Sequence, residues 1–81
     1  MGRMRVLCAG GDRIVEWHEK QVEAGDAEAL AAVREAERIF EEQRRRGAAG
    51  FKLWPNRPAE RIDRFDPAAE QIVVVPRIVG G

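Results

Sequence analysis

The 81-residue chain contains no serine, no threonine and no tyrosine. Serine and threonine nucleophiles are therefore excluded, as are hydroxyl phosphorylation and N-linked glycosylation. The single cysteine, Cys8, excludes an internal disulfide and fits a reducing compartment. There is also only one histidine, His18, so the Cys and His ligands of a structural zinc site are missing and no metal site is expected. Cys8 reads more simply as a small buried hydrophobe than as half of a catalytic pair, and His18 as a solvated residue at a strand end. No apolar run approaches the roughly 18–20 residues of a spanning helix. The opening "MGRMRVLC" has neither the apolar stretch nor the cleavage site of a secretory signal. A cytoplasmic protein with no membrane partner is expected. Formal net charge is zero, so no global field steers the chain toward nucleic acid. The length allows one domain with one small core.

What is present falls into a short series of elements. "MRVLCAGGDRIVEW" reads as a β-hairpin turning at Gly10-Gly11. That turn sets Leu7 opposite Ile14, Arg5 opposite Glu16 and Met4 opposite Trp17. Met4, Val6, Cys8, Val15 and Trp17 then face the core, and Leu7 and Ile14 face away from it as a candidate recognition patch. "GDAEALAAVREAERIFEEQRRRG" reads as a helix over residues 27–46. Asp26 is its N-cap, Gly47 its left-handed exit, and Ala29, Val33, Ala36 and Phe40 form the inward stripe with Leu30 beside them. Arg44, Arg45 and Arg46 complement the helix dipole and, without interleaved aromatics, argue against an RNA interface.

"GFKLW" is a short strand, "PNRP" a turn, "ERIDRF" a charged edge strand and "DPAAEQ" a turn. "IVVV", residues 72–75, is a continuous run of β-formers. Continuity rather than alternation marks a strand at the centre of a sheet, and Pro76 ends its ladder. Val73 and Val75 are expected to meet Val33 and Phe40 of the helix. The order of elements predicts an α+β fold, a mixed sheet of four to five strands with one helix on one face. Its central pair is the first and last strands, running parallel.

The closing segment "EQIVVVPRIVGG" resembles the C-terminus of the sulfur-carrier proteins, especially the small subunit of molybdopterin synthase. In that family an acidic residue, an apolar strand, a proline, one or two apolar residues and a terminal Gly-Gly follow in this order. Here they are Glu70, Ile72 to Val75, Pro76, Ile78 with Val79, and Gly80-Gly81. The resemblance is specific over about the last dozen residues; ubiquitin-like modifiers also end in Gly-Gly. It implies a β-grasp domain over residues 1–76 and a flexible tail over 77–81. It also implies a carrier that is not itself an enzyme and holds no permanent cofactor. Gly81 would be adenylated by a ubiquitin-activating-like enzyme that consumes ATP, then carry sulfur to a synthase large subunit or be joined to a conjugation target. Gly80 would give clearance in the enzyme's channel, Pro76 would stiffen the tail's base, and Ile78 and Val79 would anchor it. The alternative is a β-grasp interaction module without C-terminal chemistry.

Overall fold

The structure, a computed structural model, describes residues 1–8 and 10–77. In chain order the elements are β1 (Gly2–Val6), β2 (Arg13–Trp17), α1 (Glu19–Glu23), α2 (Ala27–Arg45), β3 (Ala49–Trp54), β4 (Arg57–Ile62) and β5 (Gln71–Val75). The strands form one mixed sheet in the order β2-β1-β5-β3-β4. β1 and β5 are parallel; the β1–β2, β3–β5 and β3–β4 pairs are antiparallel. The apolar run of β5 thus occupies the middle of the sheet, where its continuity places it.

α2 begins as its sequence requires: the Asp26 carboxylate accepts a hydrogen bond from the Ala29 amide at 3.0 Å. It is left through Gly47 at φ 91°. Its buried residues are Ala29, Ala36, Ile39 and Phe40, with Val33 half-buried beside them. Phe40 lies against β3 so closely that a Cβ at Gly50 would collide with its ring. The core joins these residues to Met4, Val6, Trp17, Phe65, Ile72 and Val74. Phe65 wedges between two other rings, edge-on to Trp17 at 5.3 Å and to Phe40 at 6.2 Å between centroids. The buried indole of Trp17 is satisfied by donating its N–H to the Pro67 carbonyl at 2.9 Å.

The hairpin register differs from the expected one by two residues. Trp17 lies opposite Gly2, Glu16 opposite Arg3 and Ile14 opposite Arg5. The physical reason is the size of Trp17, whose ring fills the space a side chain on its partner would need, and only Gly2 leaves that space empty. The connection is consequently longer than the two-residue Gly10-Gly11 turn. A shift of two preserves the faces, so Met4, Val6 and Trp17 are buried as expected. Cys8, assigned to the core from the tighter register, lies beyond β1 and is exposed.

β5 also presents the opposite face from the one expected. Ile72 and Val74 point to the helix, and Val73 and Val75 are half-buried on the other side. The parallel ladder decides this: Ile72 is paired with Met4 and Val74 with Val6, and paired residues share a face. Two other differences are local. The edge strand is Arg57–Ile62, entered directly from a turn at Pro55-Asn56, while Phe65 of the expected strand has left the sheet for the core. Residues 19–23, following the exposed His18, form one short helix that the sequence reading did not anticipate. No helix among the described residues is long and apolar enough to cross a membrane.

Candidate functional site

α2 covers one face of the sheet. Neither helix packs on the other, and the strand registers order its residues into rows. One row runs Ile14, Arg5, Val73, Phe51, Arg61 across β2, β1, β5, β3 and β4. The next runs Glu16, Arg3, Gln71, Leu53. Val75 and Ala49 pair beyond the first row. The open face is therefore an apolar strip centred on β5 and β3, with arginines on both sides.

Ile14 is 46% exposed, the one large hydrophobic within a strand, among the described residues, that is exposed rather than buried or half-buried. Leu7 is half-buried just past the end of β1, where its amide continues the ladder by donating to the Val74 carbonyl at 3.0 Å. The two are not cross-strand partners, because Ile14 stands opposite Arg5. Both retain the side of the sheet that the alternation predicts. Sequence reasoning missed Val73, Phe51 and Leu53 as members of this face, since it turned β5 the other way. The alternation of "GFKLW" puts Phe51 and Leu53 on one side and Gly50 and Lys52 on the other, and only the pairing of Phe51 with Val73 says which side is the open one.

Between β1 and β5 the open face is indented by a recess of about 150 Å³, lined by Arg3, Arg5, Leu53, Gln71 and Val73 over Ile72. Arg3 reaches Glu16 at 3.4 Å and Arg5 reaches Asp12 at 3.7 Å. These are long contacts between exposed groups, of the kind worth about 0–1 kcal/mol. Each guanidinium carries five N–H donors, so most of its bonding capacity is not used by these contacts.

Several charged groups elsewhere are paired along the surface. Arg38 binds Glu35 at 2.6 Å and Glu42 at 3.1 Å, and Arg13 of β2 also reaches Glu35. The bonds from Arg38, opposed by desolvation and aided by the charges of Arg38 and Arg13, hold the Glu35 carboxyl below its usual range. In the arginine triplet, Arg46 pairs with Glu42 and Arg44 with Asp63. Of the two lysines, Lys20 is exposed. Lys52 is bonded to Asp66 at 2.9 Å and lies 5.6 Å from the centre of the Trp54 ring, which Arg57 approaches at 4.7 Å. Among the described residues no three His, Cys, Asp or Glu side chains are grouped to hold a metal ion.

Pro76 and Arg77 are exposed beyond β5, and the Arg77 side chain passes beside Gly47 at the end of α2. Ile78, Val79, Gly80 and Gly81, which carry the resemblance to the sulfur carriers, lie outside the described residues. No family model, curated protein or solved structure matches the chain.

Proposed function

We propose that this chain is a β-grasp carrier or modifier whose chemistry is performed on the Gly81 carboxylate. The observation that carries the reading is the ordered run Glu70, Ile72 to Val75, Pro76, Gly80-Gly81. The strand order supports it: the last strand lies parallel to the first at the middle of the sheet, between the β1–β2 and β3–β4 hairpins, with one long helix packed on the sheet. β5 ends at Val75, and Pro76 and Arg77, the last described residues, are exposed.

In this reading a carboxylate oxygen of Gly81 attacks the α-phosphorus of ATP in an activating enzyme. Pyrophosphate leaves and an acyl adenylate forms. A sulfur nucleophile then displaces AMP to give a thiocarboxylate or thioester, or an amine of a target displaces the activated group to give an amide. The carrier supplies no acid or base; it supplies an unhindered carboxylate and a surface by which partners hold it. Leu7 and Ile14 belong to that surface.

ATP–pyrophosphate exchange with an adenylating enzyme of the same genome tests the reading, using native protein shown by intact mass to end at Gly81. Wild type is expected to support exchange. Deletion of Gly80 and Gly81, or Gly80→Val, is expected to abolish it at an unchanged Tm, and one residue appended after Gly81 is expected to block it. Equal reaction of the extended protein, or none by wild type, overturns the reading. The apolar open face favours an interaction module as the second reading.

A further inference from the structure

A sheet with one wet face reads as alternation along its strands. β5 breaks that rule, and the break falls on the open face. Val73 and Val75 face away from the helix, and Val73 is flanked by Phe51 and, through Arg5, by Ile14. Leu53 extends the strip along β3. A contiguous apolar strip rimmed by polar groups is the mark of a binding surface rather than of a solvated one.

The rim has a sign. Arg3 and Arg5 line one flank of the strip and Arg61 closes the other, beyond Phe51. The acids of this face, Glu16 and Asp12, stand on the β2 side, at the far ends of the two long ion pairs. The recess is lined by Arg3, Arg5 and Gln71 together with Leu53, Ile72 and Val73. Its volume suits one short side-chain head group better than a separate ligand, since drug-sized pockets run to roughly 300–1,000 Å³. A second copy docked on this face would have Glu16 and Asp12 to offer to Arg3 and Arg5, and each of those acids is already engaged by one of these arginines.

We infer that the open face docks a protein partner whose contact surface interleaves apolar side chains with carboxylates, and that one Asp or Glu carboxylate of that partner enters the recess between Arg3 and Arg5. The planar guanidinium fork matches a carboxylate, and Leu53 and Val73 beside it offer apolar contact to the stem that carries the carboxylate. Val73, Phe51 and Leu53 supply the apolar contact. This deepens the partner side of the carrier reading without depending on the tail chemistry, because it is read on the folded sheet alone.

The test is selection from a random 12-residue peptide library against the full chain, followed by amide chemical-shift mapping of a selected peptide. Selected sequences are expected to be enriched in Asp and Glu among Leu, Ile and Phe, and shifts are expected to centre on residues 3, 5, 51, 53, 71 and 73. Arg3→Glu with Arg5→Glu is expected to weaken such a peptide about ten- to hundredfold, as for loss of charge-assisted bonds. Affinity is expected to return when the peptide's acids are changed to lysines. Peptides without acid enrichment, shifts centred elsewhere, or an unchanged affinity in the double variant overturn the proposal. So does concentration-dependent dimerisation through this face, which makes a second copy the occupant. Tighter peptide binding after deletion of residues 78–81 overturns it too, in favour of the chain's own end. Pyrophosphate exchange does not enter this test, so the two readings fail separately.

Discussion

Val73 and Val74 are neighbours in the same strand, with the same side chain, in unlike surroundings. Val74 is fully buried against α2, and Val73 is half-buried on the open face between Arg5 and Phe51. Two phenylalanines repeat the contrast, Phe40 at 0% exposure inside and Phe51 outside. One face holds the protein folded. The other carries comparable apolar chemistry while contributing less to that task, which is what a surface shaped for a partner requires. The comparison also teaches that residue type alone does not separate core from interface in this chain; the register does.

The widest separation is expected between the phenylalanines. Phe40→Ala should cost about 3–5 kcal/mol, as for other buried aromatics. That is a large part of the total for a domain whose folding free energy is of order 5–15 kcal/mol. Phe51→Ala should cost about 1 kcal/mol, because its ring already meets solvent. Urea unfolding of both variants checks this, and equal losses would erase the distinction between the faces.

The valines give a smaller and cleaner version. Val74→Ala should cost about 2 kcal/mol through lost burial and a small cavity, and Val73→Ala roughly 0.5 kcal/mol. Peptide affinity should move the other way, falling for Val73→Ala and holding for Val74→Ala wherever the variant remains folded. A thermal melt beside a binding isotherm for each variant reads both effects.

The smallest effect belongs to Lys52 and Asp66, which tie β3 to the loop before β5. The Lys52 bond, aided by the Ala68 amide and the Lys52 charge, holds the Asp66 carboxyl below its usual value against partial burial. The bond from Asp66, opposed by desolvation and aided by the charges of Asp66 and Glu60, raises Lys52. A depressed carboxyl stabilises the fold above its unfolded pKa, and that contribution is lost as pH falls through the lower folded value. A raised lysine stabilises the fold below its unfolded pKa and loses that contribution as pH rises through the higher folded value. Asp66→Asn should therefore lower Tm by only a few degrees near neutrality, and the gap from wild type should close in acid. A gap that widens in acid would place the stabilising carboxylates elsewhere.

Much of this architecture was legible in the residues. Asp26, Gly47 and the 3.6-residue period bounded α2, and the unbroken "IVVV" marked a central strand. The face of β5 was not legible, because four β-formers in a row carry no alternation and only pairing with β1 sets their parity. The hairpin register was hidden for a different reason. Gly10-Gly11 is a competent turn, and nothing local says that Trp17 needs Gly2 across from it. Five residues are too few to show a helical period, which is why α1 was missed. Of the candidate site, parity found Leu7 and Ile14. The arginine-lined recess joins residues of β1, β3 and β5, and no local pattern contains it.

The position of β5 also governs how the fold is assembled. The β1–β2 and β3–β4 hairpins have no ladder between them; β5 is what joins them. Each hairpin can form from nearby residues, and α2 can grow as a local helix. The sheet closes only when the last strand inserts between the first and the third. Closing a loop from one end of the chain to the other costs entropy before any of its contacts form. Until then β1 and β3 each present an unpaired edge. A chain emerging from the ribosome carries both edges bare until residues 71–75 are free, so this is the interval when it is most exposed to pairing with other chains.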